Sequence, residues 1–148
     1  MATSPQFQKL VQTLFARRRA PGPLDVATMR AGFVATALPV AADVRRAVVT
    51  IGDAAVEELT APGADPDRTV LYLHGGGFVI GSPDTHRKLA ADIGRAAGAR
   101  VLLPDYPLAP EHPFPAAIDW IVAGTMHYSR VVPLRHVSPS QETRRAER

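Results

Sequence analysis

The chemistry this chain offers first is carried by its backbone. His74-Gly75-Gly76-Gly77-Phe78 follows directly on the apolar run Val70-Leu71-Tyr72-Leu73. Three consecutive glycines leave their N–H groups bare of side chains. A strand ending in such a loop can aim those groups at one point. Fixed donors of that kind stabilise an oxyanion as it forms in acyl transfer. Taken alone, the same residues also fit a tight glycine turn feeding a helix, or a phosphate-binding loop.

Side-chain nucleophiles are scarce around this loop. The chain has no cysteine, so it offers no thiolate, no disulfide and no Cys-based metal site. Ser82, Asp84 and His86 lie close in sequence. Their spacing does not suit a catalytic triad, and Ser82 and Asp84 are better explained as helix-start residues. The five histidines show no HExxH or other short ligand spacing. Neither a metal nor a cofactor is therefore expected. Glu111 and His112 read as solvated charges on a structural loop. Asp105, at the end of a strand, reads as a structural hydrogen-bond acceptor.

The elements that must position the loop are legible from periodicity. Ser4-Pro5 reads as N-cap and first helical residue, and Phe7, Leu10, Val11, Leu14 and Phe15 follow at helical spacing. Arg17-Arg18-Arg19 suits the negative end of that helix, and Pro21-Gly22-Pro23 stops it. A second helix opens with Asp25 as N-cap, carries Val26, Met29, Phe33 and Ala37 on one face, and ends before Pro39. Residues 44–51 and 54–60 flank Gly52-Asp53 and predict a hairpin. Residues 62–67 predict a loop, 69–73 a buried strand, and 83–97 a helix with Leu89 and Ile93 inward and Gly98 as its stop. A second buried strand is expected at 99–103. Five prolines between Pro104 and Pro115 impose an irregular, rigid loop. Residues 116–126 read as helical. Helices, hairpin, then strand–helix–strand–helix make an α/β chain.

Charge excludes several partners. Residues 1–128 hold twelve basic and twelve acidic residues, so the net charge of +3 resides in residues 129–148. A short arginine-rich tail without aromatic interleaving is expected to be disordered rather than to bind nucleic acid. No apolar run approaches the ~18 residues of a membrane span. The apolar, arginine-flanked face of the first helix fits a membrane surface, but packing over the rest of the domain is the simpler use of it.

The glycine loop, together with Asp105-Tyr106-Pro107-Leu108-Ala109-Pro110-Glu111-His112-Pro113-Phe114-Pro115-Ala116-Ala117, closely resembles the hormone-sensitive-lipase-like family of α/β-hydrolases, N-terminal portion only. The pair of motifs is far more specific than the glycines alone. The resemblance runs from about Met1 to about Trp120. Pro107 stands where the family usually has arginine.

The resemblance implies an α/β-hydrolase fold divided into lid helices at 1–40, a partial core at 41–128 and the basic tail at 129–148. It implies that Gly75, Gly76 and Gly77 form the oxyanion hole, with Gly76 and Gly77 facing the oxyanion. His74 would brace the loop by hydrogen bonding and not act as a base. The family next requires a further strand, a Gly-x-Ser-x-Gly nucleophile elbow, then Asp or Glu, then His. These 148 residues contain no such elbow. Ile121-Val122-Ala123-Gly124 resembles a strand entering one, but that register would put Met126 at the serine position. A helix continuing past Trp120 is preferred.

The expectation is a truncated α/β-hydrolase fold that lacks the nucleophile-elbow half and has no catalytic residue of its own. It would be the N-terminal part of a carboxylic-ester hydrolase acting on an acyl-ester small molecule, inactive alone. The alternative is a non-enzymatic truncated or frameshifted remnant, or an ancillary subunit. The strand at 69–73 would present an open apolar edge, inviting a complementary chain or self-association. A cytoplasmic location is expected.

Overall fold

The computed structural model describes residues 4–17 and 25–131. Residues 18, 19 and 21–23, expected to close and stop the first helix, and residues 132–148 of the basic tail lie outside the described residues.

Local signals set the helix starts. Helix α1 (Pro5–Arg17) begins where the Ser4 hydroxyl accepts the Phe7 N–H at 3.2 Å. Helix α2 (Val26–Val34) is capped by Asp25, whose carboxylate accepts from the N–H groups of Ala27 and Thr28. Helix α3 (Pro83–Ala97) carries a reciprocal cap between Ser82 and Thr85 and ends at Gly98, which adopts φ 58°. Helix α4 (Ala116–Val131) runs unbroken through Gly124 and Met126, which excludes the strand-and-elbow register.

Four strands form one sheet in the order β1-β2-β4-β3. Strands β1 (Arg45–Ile51) and β2 (Ala54–Thr60) make the expected antiparallel hairpin. Strand β4 (Ala99–Pro104) pairs antiparallel with β2 and parallel with β3 (Asp65–Leu71). Strand β3 differs from expectation at both ends. It starts at Asp65 because the Asp65 N–H reaches Gly98 O at 2.9 Å, although Pro66 and the charges around it read locally as a loop. It then bulges, and pairing resumes at Thr69. The ladder stops at Leu71, although the Tyr72 N–H still reaches Leu102 O at 2.9 Å.

The two sheet faces differ in chemistry. Successive residues point to opposite faces. Leu59, Val101 and Leu103 pack with Ala90 and Ala91 of α3 in the apolar core, and Val70 and Tyr72 flank it. Each of the three fully buried side chains stabilises the fold by about 1.5–3 kcal/mol. Helix α3 approaches closely here because Gly94 lies against Val101; a Cβ at position 94 would fall 2.4 Å from Val101 Cγ2. Leu89 and Ile93, expected to face inward, are exposed. The inward stripe is instead Ala90, Ala91 and Gly94, because close helix–sheet contact selects small residues.

On the opposite face, polar groups hold α4. The Arg100 guanidinium donates to Thr69 Oγ1 (2.9 Å), Tyr128 Oη (3.1 Å) and the buried Glu58 (3.3 Å), which also accepts from Arg45 at 2.8 Å. Strand β3 is an edge strand among the described residues. Leu71 and Leu73 beside that edge are 42% and 43% exposed. No helix among the described residues is long and apolar enough to cross a membrane.

Candidate active site

The chain leaves β3 at Leu71 and turns sharply through the glycines. Gly76 adopts φ 134° and Gly77 φ 63°, and Phe78 follows at φ 60°. A Cβ on Gly76 would lie 1.8 Å from Ile80 O, so no other residue fits there without moving the turn. Gly76 O accepts from the N–H groups of Val79 (3.2 Å) and Ile80 (3.0 Å), which closes the turn just before α3.

The three glycine amides differ in what they do. The Gly75 N–H donates to His86 Nε2 at 3.3 Å. The N–H groups of Gly76 and Gly77 have no hydrogen-bond partner among the described residues. Both residues line a cleft of about 430 Å³. Its other walls are Leu73, Phe78 and Tyr106, with Ile118, Ile121 and Val122 of α4 opposite. The cleft is therefore mainly apolar, and the two residues with free backbone donors are part of its lining. Such an arrangement suits a ligand with an apolar body and one oxygen that gains negative charge.

His74 lies under this loop, 3% exposed. Its Nδ1 approaches Gly75 O at 3.1 Å and the Tyr106 hydroxyl at 3.2 Å. The Tyr106 hydroxyl donates to His74 O, so it accepts from His74 Nδ1–H. The proton therefore sits on Nδ1, and Nε2 is buried without a partner among the described residues. Burial holds the imidazole below its ordinary pKa, with the Gly75 carbonyl opposing. The ring stacks on Tyr106 at 4.2 Å. Stacking and these hydrogen bonds tether the ring beneath the glycine loop. Burial also raises the Tyr106 pKa.

Two side chains anchor the loop that sequence reasoning did not single out for that role. Arg30 of α2 donates to Val79 O (2.9 Å), to Ala109 O (2.9 Å) and through both Nη atoms to Glu111 (2.8 Å each). Glu111 is exposed, as expected, but it is paired rather than free. The Arg30 guanidinium hydrogen-bonded to it lowers its pKa to about 2. The Ala109 N–H also donates to Phe78 O at 2.8 Å, so the proline loop and the glycine loop are laced together. His86 is the second anchor. Ser82, Asp84 and His86 do not converge: Ser82 caps α3, Asp84 pairs with Arg87 at 2.6 Å, and His86 meets Gly75. Asp105 is exposed and makes no hydrogen bond among the described residues, contrary to its expected role as an acceptor. No three His, Asp or Glu side chains gather as metal ligands would among the described residues.

Comparison with known proteins bears on the fold that carries this loop. A family profile described as the α/β hydrolase fold matches residues 70–140, continuing past Trp120, where the motif resemblance stops. An acetyl-hydrolase of Streptomyces hygroscopicus is 49% identical over 76 residues, covering 51% of this chain and 25% of that protein. The esterase LipI of Mycobacterium tuberculosis is 48% identical over 66 residues, covering 45% of this chain and 21% of that protein. Among solved structures, an esterase/lipase from an uncultured bacterium superposes with a TM-score of 0.76 at 39% identity, covering 90% of this chain and 45% of that one. An esterase of the bacterial hormone-sensitive lipase family gives 0.73 at 38% identity, covering 86% and 43%. The chain spans about a quarter of the curated relatives it matches and under half of the solved ones. With its sheet order, its glycine loop and these likenesses in agreement, the chain carries the N-terminal portion of the α/β-hydrolase fold and is similar to esterases of the hormone-sensitive lipase family.

Proposed function

We propose that these residues form the oxyanion-hole half of a carboxylic-ester hydrolase and do not turn over ester by themselves. The observation that carries this reading is the pair of unbonded amides, Gly76 and Gly77, on the wall of an apolar cleft. In the proposed reaction a serine hydroxyl attacks the acyl carbonyl, and the carbonyl electrons move onto oxygen. The two N–H groups hold that oxygen while the alkoxide leaves. Water then releases the acyl group. The serine and the base that takes its proton come from sequence outside these 148 residues, which contain no Gly-x-Ser-x-Gly. The exposed Leu71 and Leu73 mark where the strand bearing that serine would add. Gly75 is not counted among the donors, because its N–H is engaged by His86.

The test uses p-nitrophenyl butyrate, which a related esterase was soaked with in the crystal. The chain alone is expected to give only background hydrolysis. Mixed with a polypeptide carrying the remaining half of a related esterase, it should gain turnover. Gly76→Ala, whose Cβ would collide with Ile80 O and push the Gly76 amide out of place, should cut that turnover by about 10²–10³-fold, as the loss of one oxyanion donor does. Serine-dependent hydrolysis by the chain alone would overturn the claim of inactivity. A Gly76→Ala complex as fast as the unaltered one would overturn the assignment of the donors.

A further inference from the structure

The structure assigns to His86 a positioning role: it ties down the Gly75 amide and so determines which amides of the glycine loop stay free. The assignment deepens the ester-hydrolase reading and rests on it for its functional meaning, but its geometry stands independently.

The argument begins at the N-terminus of α3. Thr85 Oγ1 donates its single proton to Ser82 O at 2.8 Å and accepts the Ser82 N–H at 3.0 Å. The same hydroxyl lies 2.8 Å from His86 Nδ1. With its own proton spent on Ser82 O, it can only accept from the imidazole. Nδ1 therefore bears the proton and Nε2 is a bare acceptor. The Gly75 N–H points at that acceptor, 3.3 Å away. The helix cap thus fixes the imidazole tautomer, and the tautomer fixes the loop.

Packing keeps the ring in place. Phe33 of α2 meets it edge-on at 5.6 Å, Tyr72 lies at 6.2 Å, and His74 stacks at 5.6 Å. A Cβ added at Gly75 would sit 3.6 Å from Nε2, in ordinary van der Waals contact, so the ring lies directly against this residue. The peptide joining His74 to Gly75 is held at its carbonyl by the Tyr106 hydroxyl and at its N–H by His86; without the second tie it could tilt, and the turn that carries the two free amides would shift with it. Acting through Gly75, His86 positions donors without touching substrate.

The test uses the 148-residue chain labelled with ¹⁵N. Long-range ¹H–¹⁵N correlation spectra report which imidazole nitrogen is protonated. His86 is expected to show a protonated Nδ1 and a bare Nε2 hydrogen-bonded to an amide. A protonated Nε2 would overturn the assignment outright, with no variant needed. Amide exchange supplies the second arm. His86→Leu should speed exchange at Gly75 by about tenfold, the loss of one hydrogen bond. His86→Gln, which keeps an acceptor, should restore most of the protection. Equal exchange in all three proteins would also overturn it, whereas loss of packing alone would affect both variants alike. Neither readout depends on turnover, so failure of the ester reading is distinguishable from failure here.

Discussion

Replacing Gly94 by alanine sets two opposing effects against each other. Alanine is favoured over glycine inside a helix by about 1 kcal/mol. At position 94 the new Cβ would lie 2.4 Å from Val101 Cγ2 and 3.1 Å from Ala99 O. Carbon atoms prefer about 3.5–4.0 Å, so α3 must retreat by roughly 1 Å or Val101 must leave its rotamer. Val101 is fully buried, and overpacking of this kind costs about 1–3 kcal/mol. Retreat would also loosen Ala90 and Ala91 from the core. The gap between helix and strand is therefore expected to win, with net destabilisation of up to about 2 kcal/mol. For a chain of this length that lowers Tm by up to about 6 °C. Gly124 in α4 provides the control, because no atom lies within 4 Å of its added Cβ. Gly124→Ala should stabilise by up to about 1 kcal/mol. Urea unfolding of both variants would measure the pair. Val101→Ala in the Gly94→Ala background should recover part of the loss. A Gly94→Ala midpoint at or above that of the unaltered chain would refute the reasoning.

Two further outcomes follow from the surface. The Glu111 carboxylate has a folded-state pKa of about 2 against an ordinary 4.5, so its contribution is complete above 4.5 and is lost as the pH falls toward 2. Hydrogen exchange in α2 should therefore rise between pH 4.5 and 2, once corrected for intrinsic rates, and Glu111→Gln should abolish that pH dependence; an unchanged profile in the variant would count against the clamp. Leu73→Lys places a charge beside the open edge of β3, and by size-exclusion it should shift any self-associated chain toward monomer; association unaffected by the lysine would remove the edge from consideration.

Much of the fold was legible because it is locally encoded. Ser4, Asp25 and Ser82 announce their helices through side-chain and backbone groups two or three residues apart, and Gly98 ends α3 through its own φ. The hairpin follows from Gly52-Asp53. What sequence reading missed depends on distance. Arg30 and Glu111 are separated by 81 residues, so nothing near either names its partner. Leu89 and Ile93 carry the apolar signal of α3, yet the inner face went to smaller residues, because close approach to β4 rewards the absence of bulk. Asp65 and Pro66 look like a turn until Gly98 O supplies a partner. In the candidate site, the glycines were evident from composition. The distinction between Gly75 and its two neighbours was not, because it is made by His86. The sequence offers one clue to it, the place of His86 in the first turn of the helix that follows the loop.

The bulge in β3 divides the open edge into two unequal parts. In the first, Pro66 has no N–H and the Asp67 N–H is folded back onto Asp65 Oδ1 at 2.9 Å. In the second, the Tyr72 N–H points inward to β4, so the alternating amides of Leu71 and Leu73 point outward. An arriving strand therefore finds a landing strip only a few residues long, beside the glycine loop. Any other alignment meets a stretch that offers few donors. On the proposed reading, a strand that adds here is held to one register, with its end at the mouth of the cleft.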